Sequence, residues 1–199
     1  MISVLKVLFL VRHGRTAENA ARLLLGRLDV ALDHLGERQA RSLGQVPALR
    51  EATRVVTSPL KRALDTASAI GPPVTVDERW AEIDYGIYDG MELASAAALW
   101  EGWDRDLRYR PEGGESLAEL GERVREACDD LWQEACDADV VVVSHVSPIK
   151  AAVAWALGVG DEICWRTFLD TASITVVGPG RSRRPTLRSF NDTAHRPAS

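Results

Sequence analysis

The chain has 199 residues, room for one α/β or α+β domain of ordinary size and too little for two large ones. Hydrophobic residues at 46% and charged residues at 27% match globular chains and argue against wholesale disorder. Twenty-four Lys plus Arg against 29 Asp plus Glu leave a formal charge of −5, which disfavours broad binding to nucleic acid or acidic membrane, and no apolar run approaches the roughly 20 residues that span a bilayer.

The apolar stretch from Ser3 to Val11 is short, lacks a signal-peptide cleavage site and runs straight into charged residues, so Leu5 to Val11 reads as a strand. Its near-continuous aliphatic run is that of a parallel strand buried on both faces, and Arg54 to Thr57 and Asp139 to Val143 read the same way. Asp33 as N-cap opens a helix to about Gln45. Ser58 as cap with Pro59 at the first helical position predicts a helix through Ile70. From about Val74 to Gly114 the rhythm breaks. This segment holds Trp80, Tyr85, Tyr88, Trp100, Trp103 and Tyr109, with one short helical stretch around Glu92 to Trp100. Such an excursion either fills a side core or covers an active site, and the lid is the favoured reading because long excursions in compact α/β domains are often functional. From Ser116 to Cys136, Leu117, Leu120, Val124, Cys128, Leu131 and Ala135 form a helical stripe. Ser147 and Pro148 repeat the Ser-Pro arrangement before a helix to about Leu157. Ser173 to Val177 and Thr186 to Phe190 read as strands joined by a Gly/Pro/Arg turn, and a frayed, flexible tail begins at Thr193. Strands alternating with helices predict an α/β fold. Its form is a three-layer α/β/α sandwich with a mostly parallel central sheet, helices on both faces and the lid insertion at about 74–114, in one domain over residues 1–192.

Cys128, Cys136 and Cys164 are an odd number without metal-ligand spacing. Cys128 and Cys136 fall about 12 Å apart along one predicted helix, too far to bridge, and a reducing cytoplasm follows as the expected compartment. The arginine cluster at Arg181, Arg183, Arg184 and Arg188 reads as a solvated turn.

Two predicted strands end alike. Leu8-Phe9-Leu10-Val11 runs into Arg12-His13-Gly14-Arg15-Thr16, and Val140-Val141-Val142-Val143 runs into Ser144-His145. Ligands of open α/β sheets bind beyond the carboxyl ends of the strands, so the two histidines can converge on one site. A third strand end leads through Thr57-Ser58-Pro59-Leu60 to Lys61 and Arg62. Guanidinium groups grip phosphate oxygens through paired hydrogen bonds, and two arginines beside an imidazole keep it unprotonated and nucleophilic. The pattern fits phosphoryl transfer to nitrogen.

These residues sit in segments that resemble the histidine phosphatase superfamily, the phosphoglycerate-mutase-like proteins. The resemblance rests on Leu10-Val11-Arg12-His13-Gly14-Arg15-Thr16-Ala17-Glu18-Asn19, on Leu24 to Asp29 with Leu35 to Ala40, on Ser58 to Ala67, on Glu82 to Gly90, on Gly113 to Ser116 and on Val143 to Ile149, spanning roughly Val4 to Asp192. It implies that His13 attacks phosphorus while Arg12, Arg62 and His145 hold the equatorial oxygens. It further implies that Glu82 is the general acid and then the general base, and that Thr16 and Asn19 are secondary phosphate contacts. A carboxyl in that first role needs a site that keeps it protonated, for instance beneath the aromatic insertion. The resemblance implies a small phosphorylated substrate; the lack of metal-ligand spacing and the charge balance predict no metal, no cofactor and no nucleic-acid or membrane partner, and a homodimer is left open. Two departures stand out: Val146 follows the second histidine where the family usually has glycine, and Arg15 stands where many members have Glu or Gln. The Glu82 block is nearer to the phosphatase branches than to the cofactor-dependent mutases. A mutase returning phosphate to substrate, or a catalytically weak phospholigand-binding protein, remain the alternatives. Cysteine-dependent, Asp-x-Asp-x-Thr and Walker-type phosphate chemistries find no matching motif.

Overall fold

Strand residues alternate between two faces, and here both faces are apolar. In the computed structural model, which describes residues 6–71 and 73–196, that pattern builds a six-stranded sheet between two helical layers. The elements in chain order are β1 (Leu8–Arg12), α1 (Ala17–Ala20), α2 (His34–Leu43), α3 (Pro47–Arg50), β2 (Arg54–Thr57), α4 (Lys61–Ile70) and β3 (Val74–Val76). There follow α5 (Ala97–Arg105), α6 (Leu117–Ala135), β4 (Val140–Ser144), α7 (Val146–Leu157), β5 (Ile174–Pro179) and β6 (Pro185–Asp192). The strand order is β3-β2-β4-β1-β5-β6; the first four are parallel, and β5 and β6 run antiparallel. The sheet is therefore mixed, with the parallel part at the site.

All five residues of β4 are buried. Val140 and Val142, with Leu8, Leu10 and Val56, pack against Leu120, Val124 and Leu131 of α6 and Ile149 and Ala152 of α7. Val141 and Val143, with Val11 and Val55, face Leu43, Leu49, Ala63, Ala67 and Ile70 of α2 to α4. Each fully buried valine stabilises the fold by about 2 kcal/mol relative to exposure, so β4 alone ties the three layers together.

Register places the chemistry. Arg12 pairs with Ser144, and Thr57 pairs with Val143, so three parallel strands end level with one another. The next residues along two of them are His13 and His145.

Some element boundaries differ from the expected ones. β1 begins at Leu8, and Leu5 lies outside the described residues. Asp33 caps α2 as expected, its Oδ1 accepting from Gly36 N at 2.8 Å, and Ser116 caps α6 in a capping box with Glu119. Ser58 does not cap α4, which starts at Lys61 after Leu60, and α7 starts at Val146 after His145 rather than at Pro148 after a Ser147 cap. The segment from Val74 opens with β3, a three-residue edge strand parallel to β2, and its helix is Ala97–Arg105, later than Glu92 to Trp100. Three residues, Val74-Thr75-Val76, are too few for period-2 alternation to register, which is why β3 escapes a periodicity reading. The aromatic excursion does both things asked of it: Trp80 and Trp103 are buried in the core on the α6–α7 side, while Trp100 lines a cavity. The C-terminal turn is docked as far as it is described: Ser42 Oγ donates to His195 O, and Arg196 pairs with Asp170 at 3.2 Å.

Candidate active site

The loop leaving β1 is held from three sides. Gly14 N donates to Thr66 Oγ1 of α4 at 3.0 Å, and Arg15 N donates to Gln39 Oε1 of α2 at 2.8 Å. Asp33 N donates to Arg15 O at 3.0 Å, and Asp33 Oδ2 accepts from Arg15 Nε at 2.7 Å. Gly14 is required by contact: a Cβ there would lie 2.5 Å from Gly36 O. Gln39 and Thr66 are buried polar residues whose partners are this loop. Sequence reading assigned them no part, although both lie in segments that carry the resemblance.

His13 is buried, and its Nδ1 lies 2.7 Å from Gly14 O. A carbonyl only accepts, so Nδ1 carries the proton and Nε2 keeps its lone pair in the neutral ring. Burial, then the charges of Arg62 and Arg12, hold this imidazole well below the ordinary histidine pKa. His145 stands beside it, ring centroids 4.9 Å apart, and is likewise held neutral by burial and then by Arg62.

Arg62 is fully buried and spent on protein acceptors. Its Nε donates to His145 Nδ1 at 3.2 Å, Nη1 to Leu28 O at 2.8 Å and Nη2 to Gly26 O at 2.8 Å. The Asp89 carboxylate, from the aromatic segment, orders those carbonyls by accepting from the N–H groups of Gly26, Arg27 and Leu28 at 2.7, 2.8 and 3.0 Å. Since Arg62 donates to Nδ1, the His145 proton is on Nε2, which donates to Ser58 Oγ at 2.7 Å. Ser58 thus serves the site rather than a helix cap. Arg12 donates from Nη1 to Leu169 O at 2.6 Å, but its buried Nε has no partner. Burial lowers the Arg12 pKa to about 10, against the opposing pull of Glu82.

Glu82 approaches from the aromatic segment. Its Oε2 accepts from Val146 N at 3.1 Å and its Oε1 from Ser147 N at 3.2 Å and Ile83 N at 2.8 Å. Its carboxyl therefore sits on the N-terminus of α7, at the positive end of that helix dipole. Ser144 Oγ donates to Trp80 O at 2.7 Å, and Arg123, paired with Glu115, donates to Arg79 O at 2.5 Å; both pin the approach to Glu82.

A cavity of about 750 Å³ opens here, and Arg12, His13, Asn19, Glu82, Val146 and Ser147 are among its lining residues. Arg62, His145 and Thr16 are fully buried and outside that lining. Thr16 and Asn19 bond each other in a capping box at the start of α1, so Thr16 is committed to the backbone, and only Asn19 reaches the cavity. No three His, Cys, Asp or Glu side chains among the described residues come together as a metal-holding group, and no helix among them is long and apolar enough to cross a membrane.

Residues 8–193 match the model of the histidine phosphatase superfamily, branch 1. The chain belongs to that family. It is 35% identical over 197 residues to a bifunctional protein of Mycobacterium tuberculosis, covering 94% of this chain and 54% of that protein, so it spans about half the length of such relatives. It is 37% identical over 166 residues to the glucosyl-3-phosphoglycerate phosphatase of Mycolicibacterium vanbaalenii, covering 76% and 74% of the two chains. A probable phosphoglycerate mutase of Yersinia enterocolitica is 32% identical over 200 residues, 94% and 93% of the two chains. Among solved structures, the phosphoserine phosphatase of Entamoeba histolytica in complex with 3-phosphoglyceric acid superposes with a TM-score of 0.86 at 26% identity, over 95% and 98% of the chains.

Proposed function

We propose that the chain hydrolyses phosphomonoesters of small metabolites through a phosphohistidine at His13, without a metal. The observation that carries this reading is the Nδ1–H bond to Gly14 O, which leaves an unprotonated Nε2 on a residue that lines the cavity. In the first step the Nε2 lone pair forms the N–P bond as the ester P–O bond breaks, and Glu82 gives its proton to the departing alkoxide. In the second, Glu82 takes a proton from water, the water oxygen bonds to phosphorus, and the N–P bond breaks to release phosphate and His13.

The charge spread over the equatorial oxygens meets preorganised donors, the largest source of rate in such transfers. Arg12 brings a buried Nε that lacks an acceptor, which a phosphate oxygen supplies. Arg62, whose N–H groups are held by protein acceptors, contributes its positive charge from the buried side and orients His145, which exchanges the Ser58 hydroxyl for a phosphate oxygen on its Nε2–H. Asn19 contributes its amide N–H groups, and Thr16 holds the turn that carries Asn19. Both Glu82 oxygens already accept backbone N–H bonds, so the proton it gives the leaving oxygen, and later takes from water, occupies one of the lone-pair directions left over.

The test is phosphate release. p-Nitrophenyl phosphate should be turned over steadily and His13→Ala should abolish it, which a phospholigand-binding protein would not show. With 3-phosphoglycerate and 2,3-bisphosphoglycerate, rapid isomerisation with little free phosphate would overturn hydrolysis in favour of the mutase reading.

A further inference from the structure

Part of the cavity lining is apolar rather than charged. Leu23, Leu93, Trp100, Trp165 and Phe168 belong to it, and three of them are open to solvent: Leu93 is 44% exposed, Trp165 43% and Phe168 72%. Exposed apolar side chains concentrated on one concave rim mark a binding surface rather than ordinary surface scatter. They continue an aromatic series that begins next to the catalytic end. Tyr85 packs on Trp103 at 5.9 Å between ring centroids, Trp103 on Trp100 at 5.9 Å, and Trp100 meets Trp165 edge-on at 6.3 Å.

Each cation of the cavity but Arg22 already has a protein partner, and the one donor Arg12 keeps free, its Nε, serves the phosphate that faces His13. Arg15 pairs with Asp33 at 2.7 Å, Lys150 donates to Cys164 O at 2.8 Å and Arg12 donates to Leu169 O at 2.6 Å. Asp161 is taken by Arg125 at 2.9 Å. Arg22 alone of these lining residues is exposed and makes no ion pair among the described residues, so a second anionic group on a substrate would meet one solvated cation. A volume of about 750 Å³ also falls within the roughly 300–1,000 Å³ of sites that hold drug-sized ligands, far more than a phosphorylated three-carbon acid fills.

We infer that the substrate is a phosphate monoester of a bulky apolar or aromatic alcohol, whose hydrocarbon body lies against Trp100, Trp165 and Phe168 while its phosphate faces His13. This rests on the hydrolase reading and specifies its substrate class. Aromatic side chains serve here because they offer large contact area at small conformational cost, and shape selection in such a wall comes from how much area the alcohol covers.

The experiment compares phosphates of primary alcohols, so that leaving-group chemistry stays comparable: 2-(2-naphthyl)ethyl phosphate, ethyl phosphate and 3-phosphoglycerate. The naphthylethyl ester should exceed both others in kcat/KM by at least about thirtyfold, given the apolar area it removes from water. Trp165→Ala and Phe168→Ala should each cut that preference by on the order of tenfold. Equal rates, or a preference for 3-phosphoglycerate, would overturn the inference and leave hydrolysis standing. A second measurement separates the two readings. 2-(2-Naphthyl)ethylphosphonate and ethylphosphonate, which carry a C–P bond, are titrated against tryptophan fluorescence. Tighter binding of the naphthyl compound, lost in Trp165→Ala, supports the apolar subsite even if no ester releases phosphate, an outcome that would defeat hydrolysis alone. Equal binding of the two phosphonates overturns the subsite.

Discussion

Lowering the pH from 7.0 to 5.5 should destabilise this fold by on the order of 2 kcal/mol through His13 and His145 alone. Both rings are buried beside Arg62 and Arg12, so protonation in the folded state falls well below the ordinary histidine range. In the unfolded chain each takes up a proton as pH falls through about 6.5. The unfolded state therefore binds more protons than the native one, and stability is lost as pH drops below about 6.5, down to the depressed native values. Over that interval each histidine accounts for on the order of 1 kcal/mol. Urea unfolding at the two pH values measures it by linear extrapolation. His13→Asn, which keeps an N–H for Gly14 O, should shrink the acid loss by on the order of 1 kcal/mol, and His145→Gln should do the same. Carboxylates titrate alike in all three proteins, so they cancel in the comparison. If both variants lose as much stability on acidification as the parent, the two imidazoles are not held neutral by their surroundings and the electrostatic argument for a nucleophilic His13 fails.

The same geometry has other consequences. Glu82→Gln should slow ethyl phosphate hydrolysis by on the order of 100-fold and p-nitrophenyl phosphate by much less, because nitrophenolate leaves without a proton; equal slowing in a parallel kinetic comparison would remove the acid role. Gly14→Ala drives a methyl group to 2.5 Å from Gly36 O, so backbone must move; stability should fall by about 1–3 kcal/mol in thermal or urea unfolding, and kcat by on the order of 100-fold as His13 is misplaced. Unchanged values would show that the loop is not clamped by α2. Vanadate, which mimics five-coordinate phosphorus, should inhibit in a steady-state assay while EDTA should not, and strong inhibition by chelator would point to a metal step.

Much of the frame was readable from residue pattern because it follows from burial. The valine run of β4 and the aliphatic run of β1 announce strands covered on both faces, and equal distances from those strands to His13 and His145 put the rings side by side once Arg12 pairs with Ser144. The Ser-Pro signals set two helix starts too far from the truth or on the wrong residue, because the groups that would cap are used elsewhere. The Ser58 hydroxyl meets His145 as well as the Leu60 N–H, ahead of the helix, and the carboxylate of Glu82, not a serine, accepts from the first N–H groups of α7. Glu82 itself stood out only by resemblance, among Glu78, Asp84 and Asp89; what distinguishes it physically is the N-terminus of α7, a long-range relation that no local pattern carries. The arrangement around Arg62 was hidden for the same reason. Its acceptors are carbonyls of Gly26 and Leu28, which Asp89 orders from about 60 residues away in sequence, and only folding brings the three together.

The central claim is that Nε2 of His13 takes up the phosphoryl group. Glu82→Gln protein mixed with substrate and quenched in alkali, where phosphohistidine survives, should show one added phosphoryl group by mass spectrometry, assigned by fragmentation to His13 and absent from His13→Ala. Turnover of substrate with no adduct at His13, or with the phosphoryl group on another residue, would contradict the account.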